Sequence, residues 1–293
     1  MSTSEDRRTA GETATLTVED LGLRPFTTSA LGPEQAERLA ATLDAPAVPG
    51  EGAPLPLLWH WAYFTPSTPT AGLGPDGHPR LPAGAPTARF PRRMWAGGRV
   101  SSLAPLVLGR PAERHSTVLR TKETSGKSGD LLVVTLEHRY RQGGADAVVE
   151  EQDLVYRAAG APVPLPEGDG AIPAPAGGWS LRRVVEPPML FRFSALTFNS
   201  HRIHYDAPYA TEVEGYPGLV VHGPLTAVLL AESARVGTGR EVASFDFRAT
   251  APLFAGLGFD LVGDLDESSG TVDARAVRND GQTAMAATIR LLG

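Results

Sequence analysis

The spacing of apolar positions changes character several times along the chain. Residues 1–17 are polar and aperiodic, which predicts a disordered tail. From Gly32 to Asp44 the apolar residues fall at helical spacing, with Leu39, Ala40 and Leu43 on one face and Pro33 at a first helical position. Residues 65–91 are crowded with proline and glycine and predict a long surface loop. A period of two then predicts strands over Val100–Leu108, Ser116–Thr121, Leu131–Tyr140 and Ala147–Tyr156. Residues 141–146, with their Gly-Gly pair, join the last two as a hairpin. Over 158–178 proline and glycine dominate and no apolar period survives, so this stretch reads as a linker between domains at 18–157 and 179–293.

The second half repeats the plan. Leu190–Thr197 reads as a strand with Phe191, Phe193 and Ala195 on one face. His222–Val236 is helical, with a stripe of Ala227, Leu230, Ala231 and Ala234. Strands follow at Val242–Thr250, Gly258–Leu265, Thr271–Arg278 and Thr283–Leu291, the last two joined by an Asn-Asp-Gly turn. A helix followed by an antiparallel run of strands, given twice, predicts an α+β protein built as an internal duplication, each sheet wrapped round a helix.

Composition narrows the function. The 293 residues contain no cysteine, which excludes disulfides, thiolate nucleophiles and cysteine zinc sites. A formal charge of −6 and the lack of a basic run argue against nucleic acid as a partner. No apolar run approaches the roughly 20 residues of a membrane-spanning helix, and the polar start lacks a secretory signal, so a cytoplasmic protein is expected.

Polar side chains gather in one segment, 193–206, which carries Asn199, His201, His204 and Asp206. A second group, His222-Gly-Pro-Leu225, heads the apolar helix. With Gly223 as cap and Pro224 as first helical residue, the N–H groups of Gly223 and Leu225 stay unpaired, and the helix dipole adds positive potential. A developing enolate oxygen could be held there. A metal reading of His201, His204, Asp206 and His222 was weighed against the frequency of such short His pairs by chance and set aside. No phosphate loop and no nucleophile elbow is present. The aromatic cluster Trp59, Trp61, Tyr63 and Phe64 reads either as core or as lining for an acyl chain.

The stretches 198–206 and 218–225 together resemble the hydratase motif of MaoC-like hotdog proteins. The closer likeness is to the double-hotdog branch of itaconyl- and mesaconyl-CoA hydratases and the mitochondrial 3-hydroxyacyl-thioester dehydratase type 2. Residues 57–61, 91–98 and 150–157 resemble the first domain of that branch. The resemblance implies a double hotdog whose first domain carries no catalytic residue. It implies reversible hydration of an enoyl thioester, carried by CoA or by a carrier protein, with no metal and no cofactor. On the matched positions His204 is the catalytic histidine and Gly223 the oxyanion amide. Asn199 stands where the wider family has aspartate. An amide orients water but exchanges no proton near neutral pH. The second proton-transfer group is therefore unassigned, with His201 and Asp206 as alternatives. His201, Arg202, Asp206, His222, Leu225, Arg93 and Trp95 are expected around the substrate. A non-catalytic acyl-thioester-binding protein is the competing reading, and a homodimer is left open.

Overall fold

The computed structural model describes residues 16–90, 92–126, 129–158, 160–168 and 170–293. Most of the tail expected over 1–17 lies outside them. Its last two residues belong to the fold, with Leu16 buried and Thr17 bonded to Asp20.

The first half contains β1 (Phe26–Ser29), α1 (Pro33–Leu43), β2 (Arg92–Ser102), β3 (Ala112–Gly126), β4 (Gly129–Gln142) and β5 (Ala145–Arg157). The second contains β6 (Trp179–Val184), α2 (Pro187–Thr197), α3 (Gly223–Thr238), β7 (Val242–Ala249), β8 (Gly258–Asp266), β9 (Thr271–Arg278) and β10 (Thr283–Leu291). The strands form one antiparallel sheet in the order β1-β3-β4-β5-β2-β7-β10-β9-β8-β6. The two halves meet where β2 pairs with β7, from Gly97 opposite Arg248 to Ser101 opposite Ser244.

Each half curls its strands around apolar side chains. Residues Leu225–Ala234 of α3 are all buried, because the helix lies on β7–β10 and is covered on its other side. Such all-round burial suits a segment apolar on every face. Glu232 is the charged residue within it, beside the polar Thr226 and Ser233, and its carboxylate accepts a hydrogen bond from Trp59 Nε1 at 2.9 Å. That bond ties the two halves at the core. Helix α1 buries Ala36, Leu39, Ala40 and Leu43 and packs on α2. A smaller cluster, built on Leu132, Val134, Leu136 and Tyr156, fills the far end of the first sheet.

Three expectations are corrected. The run Leu190–Thr197 belongs to helix α2, not to a strand. Pro187 and Pro188 open the helix, and burial falls on Leu190, Phe193 and Leu196, while Phe191 is 68% exposed. A short apolar run cannot separate strand from helix by period, and the paired prolines were the deciding signal. The first long strand covers Arg92–Ser102, about one strand-half earlier than Val100–Leu108, since Leu106 and Leu108 are core residues of a loop. The short edge strands β1 and β6 carry too little alternation to be seen in sequence.

Candidate active site

Helix α2 ends at Phe198, whose φ of +51° turns the chain sharply into residues 199–206. Asn199 Oδ1 accepts the His201 backbone N–H at 3.0 Å, so the side-chain NH2 stays free to donate elsewhere. A single 3-10 turn over Arg202–His204 then swings His204 inward. Arg202 and Asp206 point the other way and bond each other at 3.0 and 2.7 Å. Asp206 also accepts the Tyr209 N–H. This pair shapes the loop from outside.

His204 is held in a defined tautomer. Its Nδ1–H donates to the Val220 carbonyl at 2.7 Å, which leaves the lone pair on Nε2. The ring stacks on His222 at 3.7 Å between centroids, and His222 Nε2 pairs with Ser194 Oγ at 2.8 Å. His222, not Gly223, is the N-cap of α3, and the helix begins at Gly223. The first bond along the helix runs from Thr226 N–H to the His222 carbonyl. The Gly223 and Leu225 amides precede it and have no intrahelical partner, and Pro224 has no N–H. Trp95 of β2 lies over this helix head, and a Cβ at position 223 would come within 2.7 Å of its ring. Glycine is required there by the close approach of the two halves.

The first half adds polar groups that the sequence reading did not name. Inside the Pro/Gly-rich loop, residues 73–80 make a tight turn, closed by the Gly74 N–H on the His78 carbonyl at 2.7 Å. Asp76 accepts the His78 backbone N–H at 3.0 Å and the His78 Nδ1–H, also at 3.0 Å. The turn is fastened to the second half. Arg202 N–H donates to the Asp76 carbonyl (2.9 Å), Ser200 Oγ to the Gly77 carbonyl (2.5 Å) and Arg202 Nη1 to the Pro75 carbonyl (2.9 Å). Gly77 has φ +88°, and a Cβ there would overlap the Ser200 carbonyl oxygen. The result is a row of imidazoles: His78 on His201 at 4.0 Å, His201 edge-on to His204 at 5.5 Å, and His204 on His222.

Burial keeps this row neutral. It pushes His204 and His78 down to about 4, in His78 with help from the Arg93 charge. Burial and the neighbouring imidazoles hold His201 and His222 lower still. For Asp76 burial opposes the charge, but the bonds from His78 win and keep its carboxyl well below the usual carboxylate range. The row therefore sets the Asp76 carboxylate beside neutral imidazoles.

These groups line a cavity of about 1040 Å³ shared by both halves. Of the residues expected around the substrate, Asn199, His201, His204, Gly223, Arg93 and Trp95 line it. Arg202 and Asp206 lie outside it, paired with each other. Leu225 is fully buried in the core, and His222 is buried behind His204, so neither lines it. The aromatic cluster divides. Trp61 and Phe64 line the cavity, Trp59 is core, and Tyr63 bonds the Gly32 carbonyl. The ligand set weighed from sequence is not assembled, since His204 Nδ1 and Asp206 are engaged elsewhere. Among the described residues, Asp76, His78 and His201 are the group whose donor atoms, all within 4.8 Å of one another, could share a cation. Sequence reading missed Asp76 and His78. The available signal was an acid and an imidazole bracketing a glycine inside a loop otherwise poor in such groups.

The profile of the hydroxyacyl-thioester dehydratase type 2 family matches residues 58–255. The chain is 47% identical to a mesaconyl-C(4)-CoA hydratase of Chloroflexus aurantiacus, over 88% of this chain and 92% of that one. The solved structure of HtdX from Mycobacterium tuberculosis superposes with a TM-score of 0.63 at 19% identity, covering 91% of this chain and all of the other. A further M. tuberculosis protein, described as having a double hotdog fold, covers 93% of this chain and 97% of its own at 14% identity, with a TM-score of 0.52. The joined sheets, the second with α3 packed in its concave face, are that double hotdog, and no helix among the described residues is long and apolar enough to cross a membrane. The chain belongs to the hydroxyacyl-thioester dehydratase type 2 family, and is a hydro-lyase that adds water to, or removes it from, acyl thioesters.

Proposed function

We propose that the substrate is the CoA half-thioester of an unsaturated C5 dicarboxylic acid, of the mesaconyl type, and that His204 is the acid–base group. The 47% identity to the mesaconyl-C(4)-CoA hydratase supports this choice of substrate. The observation that carries the mechanism is the His204 Nδ1–H bond to the Val220 carbonyl beside the open head of α3. It leaves a neutral Nε2 as base on the cavity side, next to two free amides.

In the hydration direction a water donates to His204 Nε2 and accepts from the Asn199 NH2. His204 takes the proton as the water oxygen bonds the β-carbon. The π electrons move toward the thioester oxygen, which the Gly223 amide and the helix dipole stabilise. His204 then returns its proton to the α-carbon, so one water is added in full and the base is regenerated. Asn199 needs to exchange no proton in this scheme, which accounts for an amide at that position. Asp76 and His78 are positioning residues. Their pair fixes His201, and His201 braces the His204 ring.

The test is loss of enoyl-thioester absorbance on mesaconyl-C4-CoA and crotonyl-CoA, with His204→Ala as control. Turnover that depends on His204 supports the assignment, and turnover that survives its removal refutes it. Activity confined to carrier-protein thioesters would refute CoA as the carrier.

A further inference from the structure

Among the described residues no carboxylate serves Arg93 as a counter-ion. Arg93 stands on the inner face of β2, in register with Tyr156 of β5, and Trp95 follows on the same face opposite Leu154. Tyr156 and Leu154 are both buried, so the Arg93 side chain leaves the sheet toward the interior, where it lines the cavity. The other arginines of the cavity wall are accounted for differently. Arg92 bonds the Glu214 carboxylate at 3.2 Å and its carbonyl at 2.6 Å. Arg114 donates to the Phe64 carbonyl at 2.8 Å. Arg157 also lines the cavity without a carboxylate partner among the described residues, but it pairs in register with Arg92 and so leaves the sheet on the opposite face from Arg93.

A half-buried guanidinium without an anion is costly unless a ligand supplies one. The Tyr156 hydroxyl beside it is also buried, and Arg93 is the polar group that interacts with it. Arg93 lies near the first-half end of the imidazole row, its charge felt by His78 and His201, and Trp95, two residues along the same face of β2, covers Gly223. The phosphates of CoA lie at the far end of a long pantetheine arm and cannot reach this position while the thioester lies at the helix head. A carboxylate on the β-carbon of the acyl group can. In a fumarate-type half-thioester, the free carboxylate sits on that carbon, the one attacked by water.

We propose that Arg93 is the specificity residue of the site, binding the free carboxylate of a dicarboxylic acyl group through its planar fork. This rests on the hydratase reading above and adds to it the group that selects the substrate. A guanidinium suits a carboxylate because two parallel N–H bonds fix it in orientation as well as in charge. Pairing also removes negative charge from the carbon that must accept the water. A substrate without the carboxylate leaves the cation buried and unpaired, which is the strongest basis for rejection.

The experiment compares kcat/KM on mesaconyl-C4-CoA and crotonyl-CoA for the wild-type enzyme, Arg93→Gln and Arg93→Lys. The wild type favours mesaconyl-C4-CoA, and in Arg93→Gln the ratio of the two values falls by about 100-fold or more. Arg93→Lys keeps the charge without the fork and lies between. An equal fall on both substrates, or a wild-type preference for crotonyl-CoA, overturns the proposal while leaving the hydratase reading intact. Turnover of neither substrate by the wild type defeats both. A measurement on the unaltered enzyme guards against a variant that does not fold. By calorimetry, succinyl-CoA should bind at least about tenfold tighter than butanoyl-CoA, of equal chain length. Equal affinities would also overturn it.

Discussion

The two halves of the molecule share one sheet but supply different parts of the site. The second half provides the helix head at Gly223 and a histidine whose tautomer is set by the Val220 carbonyl. The first half provides no such base, yet its turn at Asp76–His78 is fastened across 123 residues of sequence to Ser200. It also provides Trp95, which closes over Gly223, and Arg93. A duplicated fold has thus kept its chemistry in one copy and used the other to build the walls, the polar buttress and the charge. The asymmetry is visible in the helices. Helix α3 fills the centre of its sheet over 16 residues, whereas α1 has 11. Much of the first sheet's inner face instead borders the cavity.

The sharpest division between the halves is tested by His204→Ala. This variant should lose roughly 10²- to 10⁴-fold in kcat, the range of general acid–base help, with unchanged circular dichroism. A comparable loss in kcat from removal of Asp76 or His78 would break the asymmetry. Gly77→Ala attacks the joint itself. The required φ and the overlap with the Ser200 carbonyl should lower stability by at least ~1–3 kcal/mol, seen in a denaturant melt, and lower turnover with it. A stable, fully active Gly77→Ala protein would mean that the turn need not dock.

Acid should act on both halves through the same cluster. His204 must be neutral to accept a proton, and burial holds it at about 4. Hydration should therefore stay level from pH 8 to about 5 and fall below that, where an ordinary histidine base would fail near its usual ~6.5. The linkage to stability has the same sign. The unfolded chain binds protons at these histidines from about pH 6.5 downward and the folded chain does not, so stability is lost as pH falls from about 6.5 through about 4. Thermal melts at pH 7 and pH 5 measure it. The smallest effect is expected from Asn199→Asp. If the amide only orients water, the acid should retain turnover within about tenfold, as a group able to hydrogen-bond the same water.

Much of this was legible along the chain. Strong alternation located β4, β5, β9 and β10, and the apolar stripe located α3 to within a turn. His204, Asn199 and Gly223 stood out because polar groups rarely cluster beside an apolar helix head without cause. What was hidden depended on contacts between distant segments. Asp76 and His78 sit in a loop whose prolines and glycines signal only a lack of regular structure, and nothing local says that the loop folds back onto Ser200. Helix α2 was misread because the five apolar residues among the eight of Leu190–Thr197 fit both periods. Leu225 and His222 were assigned to the substrate from their place at the helix head, although that end of α3 faces the core on the side of Leu225.

The central claim is that groups from both halves act as one site. A double-mutant cycle on kcat with His78→Ala and His204→Ala tests it, using mesaconyl-C4-CoA as substrate. Residues that act as a unit are far from additive. His78→Ala should cost about tenfold or more alone, and the double variant should be no slower than His204→Ala. Losses that multiply in full would show that the first-half turn works independently of His204, and would contradict the shared site.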